Sequence, residues 1–433
     1  MTERIFPESG VILQIAAEWD RLTEVMVHEP EIEIEYAMLS PRPFLFERIF
    51  RTSKAVEEHR RLQETLKGEG VKVSILRQLI VGTADEDPAF RRLLEDKVRQ
   101  LVIFYGSREL SEKAKEEFRK NISGLDSLNL FHILTLEPAI NLKKTADGTP
   151  NYPTIYSNIP LANLYFMRDQ QAVGNRGVIV GNMRSLQRRK ETEITEFVLK
   201  NSFRVGNVSR IEGEDFFEGG DFIPARDFAL IGIGTRTNRS GALAAMQSGM
   251  LDFKEIGVVE NPLYSFMEGA PRDPMVNMHL DTYFNIADSG VAVTSVELAK
   301  KAETEVFVRE GTVYKSSGKT RLYDFLKDRG YSFVDLSVAE QVSYSSNFLT
   351  ISGSKIVAVR SENVLRKLLG DSVLPQSVVR IVKESMSSSG TEKMFPFSKA
   401  VKEHGIDAID LDLSELTGGY GGAHCMTASL SRN

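Results

Sequence analysis

Cysteine is nearly missing from this chain: Cys425 is the only one in 433 residues. A single thiol cannot close an internal disulfide, and the expectation is a protein of the reducing cytoplasm. Long apolar runs are missing too, and none approaches the ~20 residues that a membrane-spanning helix needs. The opening MTERIFPESG has charge and proline where a secretory signal needs an apolar core. Positive charge is not in excess. A net charge of −6 gives no general attraction to nucleic acid or to an anionic membrane. The basic cluster RSLQRRK (184–190) is short and reads as a solvated helix face. The glycines at 418, 419, 421 and 422 have no Gly-Lys-Ser/Thr after them, so they are a weak match to a phosphate loop. GIGTRT lacks a dinucleotide fingerprint, and no His-x-x-x-His or Cys-x-x-Cys pair occurs. The remaining composition, 42% hydrophobic and 26% charged, is that of a globular protein with a large core.

Four stretches share one layout: DQQAVGNRGVIVGNM (169–183), DFIPARDFALIGIGT (221–235), TYFNIADSGVAVTSV (282–296) and NFLTISGSKIVAVRS (347–361). Each opens on a polar or acidic residue, makes a short strand, turns, and makes a second apolar strand. Apolar runs of period two around a turn predict hairpins. A helical stretch follows each: RRKETEITEFVLK, SGALAAMQSGML, SVELAKKAE and SENVLRKLLG. Further strand candidates come next, among them SFRVGNV, KEIGVVE and TEVFVRE. A fifth copy stands at the front, with LTEVMVHEPE as strand, TSKAVEEHRRLQETLKGEG as helix and VKVSIL as the next strand. In that helix Ala55, His59, Leu62 and Leu66 fall on one face, and Gly68 or Gly70 ends it. Five β–α units of similar size predict an α/β fold with a closed ring of modules, which gathers equivalent loops near one axis. From about 84 to 137 the pattern is nearly all helical. Asp87 is a good N-cap, Pro88 suits the first helical position, and Phe90, Leu93, Leu94, Val98, Leu101 and Val102 form an apolar stripe. The expected organisation is therefore a catalytic domain of residues 1–83 plus 138–433, interrupted by a helical insertion at 84–137.

Reactive side chains recur at one position of these units. Asp169 ends NLYFMRD at the head of the first hairpin. FFEGGDF puts Glu218 and Asp221 at the head of the second, and NMHLDTYF puts His279 and Asp281 at the head of the third. GGYGGAHCM puts His424 and Cys425 before the last strand. Each group alone has a plain explanation. A lone cysteine is more often a small buried hydrophobe, and Glu-Gly-Gly-Asp is usually a turn. His28, His59, His132 and His404 are assigned to packing or surface. Agreement across four loops is the stronger signal.

In this order and spacing, NLYFMRD, FFEGGDF, MHLDTYF and GGAHCMT resemble the arginine deiminases of the guanidino-group modifying superfamily. EWDRLTEVMVHEPE, FLF and the EH of VEEHRRL agree with it, so the likeness spans nearly the whole chain. The resemblance implies a pentein fold, a five-unit α/β propeller. It implies hydrolysis of free L-arginine to citrulline and ammonia through a cysteine amidino-thioether. It implies Cys425 as nucleophile, His279 as general acid and base, Glu218 as the carboxylate assisting it, and Asp169 and Asp281 as the pair gripping the guanidinium. Arg188 and Arg236 resemble the family's carboxylate-binding arginines, Asn163 a further substrate contact, and Phe166 could pack on the aliphatic stem. Asp221 and Tyr420 complete the expected binding set. Many relatives carry an arginine, thought to gate the site, where this chain has Tyr420.

The chemistry is consistent with those residue types. A guanidinium is flat, cationic and rich in donors, so paired carboxylates suit it. It is a poor electrophile, so a thiolate must attack it. Nearby carboxylates raise the thiol pKa, and the substrate cation lowers it again. Such a site needs no metal and no organic cofactor. Four rivals use the same residues: a hydrolase of a related guanidino substrate, an amidinotransferase of the same superfamily, a metal hydrolase built on His279, Asp281, Glu218, Asp221 and His424, and a non-catalytic binding protein. A homo-oligomer is compatible with the sequence, which does not specify one.

Overall fold

Short hairpins followed by a helix and a parallel strand recur along the chain. The computed structural model describes residues 11–144, 154–262, 273, 275–388 and 393–433. The opening decapeptide, read above as lacking a secretory signal, lies outside the described residues. The architecture is mixed α/β, and no helix among the described residues is long and apolar enough to cross a membrane.

All four predicted hairpins form. Gln171–Val173 pairs antiparallel with Val178–Val180, and the third strand, Val208–Arg210, runs parallel to the second. Phe222–Ala225, Phe228–Ile233 and Glu255–Glu260 repeat that order. So do Phe284–Asp288, Val291–Thr294 and Ser332–Asp335, and Leu349–Ser352, Lys355–Val359 and Asp407–Leu411. The fifth set joins the two ends of the chain: Leu22–Val27 pairs parallel with Lys72–Ile75 and antiparallel with Ala428–Arg432. The strand that follows Cys425 is thus the missing hairpin partner of the first unit.

Two strands differ from expectation. SFRVGNV contributes only its end, because the strand is Val208–Arg210. TEVFVRE does form the strand Glu303–Glu310, but it extends the neighbouring sheet beside Glu255–Glu260, followed by Val313–Arg321. Ser332–Asp335 closes its own unit instead. An alternating apolar pattern specifies a buried face and leaves the partner strand open.

The front helix, Thr52–Gly68, buries Ala55, His59, Leu62 and Leu66 as predicted. In the 84–137 segment the Asp87 carboxylate accepts from the backbone N–H of Ala89 at 2.8 Å and of Phe90 at 3.3 Å, capping Pro88–Leu101. Phe90, Leu94 and Val98 are buried, whereas Leu93 is 47% exposed. One residue step turns a helix by about 100°, which carries Leu93 off the face that Leu94 occupies. The segment is not wholly helical: Ile103–Tyr105 is a strand beside Pro138–Asn141, which also pairs with Thr154–Ser157. Its apolar face shares a core with Val178, Val180, Ile194 and Val198 of the adjacent unit. Each fully buried Phe or Leu there contributes about 1.5–3 kcal/mol.

Candidate active site

Each antiparallel strand is entered from a short loop carrying polar groups, and these loops meet. Glycines permit the approach. A Cβ on Gly220 would lie 2.8 Å from Asp169 Oδ1 and 3.0 Å from His279 Nδ1. A Cβ on Gly421 would lie 2.9 Å from the Cβ of Cys425 and 3.0 Å from its Sγ. Contacts that short are sterically closed to a side chain, which accounts for glycine at these points of Glu-Gly-Gly-Asp and Gly-Gly-Tyr-Gly-Gly.

A small cavity of about 20 Å³ lies among the loops and is lined by Asn163, Phe166, Asp169, Arg188, Arg236, His279, Tyr420 and Cys425, with Leu45, Met275, Met278 and Gly419. Behind it, His279 Nε2 donates to Glu218 Oε2 at 2.8 Å. The other Glu218 oxygen accepts from the Arg184 backbone N–H at 2.9 Å. His279 Nδ1 faces Asp169 Oδ1 at 3.6 Å, and neither atom has a hydrogen-bond partner among the described residues. Burial disfavours the imidazolium, but Asp169, Glu218 and Asp221 outweigh it and raise the His279 pKa to about 10. Burial likewise opposes the Glu218 carboxylate, yet His279 and the more distant arginines bring its pKa down to about 2.

Cys425 is buried. Its Sγ accepts from Asn347 Nδ2 at 3.0 Å and lies 3.4 Å from Asp281 Oδ2. Burial, then Asp281 and Asp169, push the thiol well above its ordinary range, while the Asn347 amide acts the other way. Asn347 Oδ1 also accepts from the backbone N–H of Gly422 at 2.8 Å and of Cys425 at 3.0 Å. Asp281 Oδ2 accepts from His424 Nδ1 at 2.8 Å, and Oδ1 is buried with no partner among the described residues. His424 Nε2 reaches Glu18 at 3.2 Å, and Arg432 binds Glu18 at 2.8 Å.

The remaining expected residues divide. Asn163 and Phe166 line the cavity, and their carbonyls accept from Arg188 Nη2 at 3.3 and 3.4 Å. Arg188 also holds Asp169 Oδ2 at 2.7 Å and Glu191 Oε2 at 2.9 Å. Its guanidinium is therefore already engaged by carboxylates. Burial lifts Glu191 to about 7 despite that pairing. Arg236 binds the Ser185 hydroxyl and lies beside the sulfurs of Met275 and Met278. Asp221 is set back from the cavity: its Oδ1 accepts from Asn261 at 3.0 Å and from the Leu280 backbone at 2.9 Å, and burial raises it to about 6. Among the described residues, no three His, Cys, Asp or Glu side chains are arranged to hold a metal ion. Sequence reasoning missed Asn347, although it opens the fourth hairpin stretch and so occupies the position that Asp169 occupies in the first.

A family profile described as arginine deiminase matches residues 42–432. The chain belongs to the arginine deiminase family. It is 23% identical to the arginine deiminase of Halobacterium salinarum, over 97% of this chain and 96% of that one. It is 26% identical to that of Borrelia recurrentis, over 97% and 98%. Among solved structures it is similar to AgrE in a ternary complex with ornithine and NAD+, at 13% identity and a TM-score of 0.51, covering 95% of this chain and 40% of that one. A mutant of AgrE with L-arginine matches at 12% identity and a TM-score of 0.52, with the same coverage. At these identities the likeness to AgrE bears on the fold alone, and family membership rests on the profile.

Proposed function

We propose that this protein hydrolyses the guanidinium group of free L-arginine to citrulline and ammonia, with Cys425 as the covalent nucleophile. The observation that carries this reading is convergence. One buried cavity presents a thiol, an imidazole with a strong carboxylate behind it, and an unpartnered Asp169 oxygen. Asp281, whose Oδ2 lies 3.4 Å from the sulfur, carries a second unpartnered oxygen, Oδ1.

Asp169 Oδ1 and Asp281 Oδ1 take the N–H groups of the flat cation. Its positive charge offsets the carboxylates that hold the thiol protonated, so the sulfur ionises when substrate is present. The thiolate attacks the guanidinium carbon. His279, cationic at neutral pH, protonates the departing nitrogen, the C–N bond breaks, and ammonia leaves. The neutral imidazole then takes a proton from water, which attacks the same carbon. The C–S bond breaks, and citrulline and the thiolate are released. Glu218 keeps His279 oriented and basic, and Arg236 is the cation for the substrate carboxylate. Arg188 acts through Asp169. Phe166 and Asn163 line the stem, and Asp221 supports the loop through Leu280.

On the same reading the five repeated strand sets belong to a closed propeller, with the expected bounds of 1–83 and 138–433 and an insertion at 84–137. Pairing of the last strand with the first supports that closure. A buried thiol that must stay reduced suits the cytoplasm.

The test is ammonia and citrulline release from L-arginine without added metal. Cys425→Ala is expected to abolish turnover and keep a native circular-dichroism spectrum. His279→Ala is expected to lose about 10²–10⁴-fold. Undiminished turnover by the Cys425 variant rejects the nucleophile, and new guanidines formed with added glycine or ornithine identify amidino transfer.

A further inference from the structure

A second cavity adjoins the catalytic one. Its volume is about 130 Å³, and Met275 and Tyr420 line both. With the guanidinium held at Cys425, Asp169 and His279 and the carboxylate on Arg236, whose Nη2 lies 3.3 Å from the sulfur of Met275, the amino-acid end of arginine comes to lie beside Met275. The shared wall is therefore at the α-carbon end of the substrate. Met275 is half-buried and has an unbranched, adaptable side chain. Tyr420 holds a backbone φ of +72°, a conformation side chains rarely adopt. At this position the family resemblance leads one to expect arginine, so the wall here is an uncharged ring.

The second cavity is chemically two-sided. Val342, Val373, Leu374 and Val378 give it an apolar wall, Glu47 and Asp273 give it acids, and Arg42 gives it a cation. Gln341 is buried, donates through Nε2 to the Thr282 carbonyl at 2.8 Å, and leaves its Oε1 with no hydrogen-bond partner among the described residues. A buried acceptor without a donor costs about 1–3 kcal/mol, and an N–H from a ligand relieves that cost. An apolar body carrying N–H donors or an ammonium is complementary to this lining.

We propose that the second cavity is a subsite for an apolar amino-acid residue joined to the α-nitrogen of arginine, so that short peptides ending in arginine are also substrates. This rests on the guanidine-hydrolase reading. The reaction is unchanged: the guanidinium C–N bond breaks, water supplies the oxygen, ammonia leaves, and the peptide bond stays intact. The free carboxylate stays on Arg236, and the ammonium of the added residue meets Asp273, since Glu47 is already bound by Arg48 at 2.6 Å.

The experiment compares ammonia release from L-arginine, leucyl-arginine and arginyl-leucine, with mass spectrometry of the intact dipeptide product. Leucyl-arginine is expected to have a kcat/KM within about tenfold of arginine, and arginyl-leucine to be poor, because an amide replaces the carboxylate at Arg236. Val378→Trp and Leu374→Trp fill the second cavity. Each is expected to lower kcat/KM for leucyl-arginine by about tenfold or more and to leave arginine within about twofold, which also shows that the variants fold. Turnover of arginine with none of leucyl-arginine overturns the subsite alone. Equal losses for both substrates in both variants, or equal turnover of the two dipeptides, overturn it as well. No ammonia from any of the three overturns the hydrolase reading together with the subsite.

Discussion

An amide holds the thiol in place. Asn347 binds the sulfur of Cys425, the backbone N–H groups of Cys425 and Gly422, and the carbonyl of Asp281 at 3.0 Å, so one side chain joins three of the polar loops. It donates to sulfur and so favours the thiolate, against carboxylates that favour the thiol. Asn347→Asp keeps the acceptor for the two N–H groups but replaces the donor with a further negative charge. That variant is expected to remain folded and to lose most of its turnover, with activity recovering as the pH rises. Asn347→Ala leaves two buried N–H groups unpaired and is expected to cost about 1–3 kcal/mol of stability as well. Thermal melts and pH–rate profiles on the pair check this. Equal activity of Asn347→Asp and the parent would remove the amide from thiol activation. The acids, imidazole and thiol that meet here were legible in the sequence because they recur at the heads of successive repeats, which no one of them signals alone. Asn347 was not, since an amide gains its role only from what it touches. Arg188 was legible as a carboxylate-binding candidate, but its partners Asp169 and Glu191 become visible only in three dimensions.

Elements are legible to the extent that their cause is local. Hairpins at 171–180, 222–233, 284–294 and 349–359 follow from apolar alternation and turn residues within about fifteen positions. The cap at Asp87 follows from a single side chain. The partner of Glu303–Glu310 does not, because it lies some fifty residues back in the preceding unit. Glycines show the same contrast between local and distant causes. Gly82 lies within the helix Leu76–Glu86, and a Cβ there would meet nothing within 4 Å. Gly82→Ala is therefore expected to stabilise the protein by about 1 kcal/mol, read as a higher melting temperature with unchanged kcat/KM. Gly421→Ala forces a methyl against Cys425 and Phe166 Cε1, at 2.9 Å from the latter. It is expected to cut kcat by at least about tenfold, with a smaller change in melting temperature. If both glycines behave alike, close approach is not the reason for glycine at 421.

The whole molecule buries more charge than one cavity requires, and the sign of the pKa shifts sets how its stability responds to pH. Burial lifts Glu47, Glu58 and Glu191 to about 7 and Asp221 to about 6. An unfolded chain ionises these groups near pH 4. Between pH 6 and 8 the folded state therefore holds protons that the unfolded state has released. His279, raised to about 10 by its carboxylates, acts in the same direction, since an unfolded histidine loses its proton near pH 6.5. Glu218, lowered to about 2, has the opposite sign. Its stabilisation is complete above the ordinary glutamate range and is lost only as pH falls from there toward 2, outside this window. His59, lowered by burial to about 3, acts against the raised groups near pH 6.5, but the raised carboxylates and His279 outnumber it, so the folded protein binds more protons than the unfolded chain over pH 6–8 and stability falls as pH rises. The melting temperature is expected to be higher at pH 6 than at pH 8, and the gap to shrink in His279→Gln. The glutamine keeps a donor for Glu218 but cannot take up a proton. A melting temperature that rises from pH 6 to pH 8 would mean that these carboxylates ionise freely in the folded state, and that the interior around the site is far wetter than the packing of its loops allows.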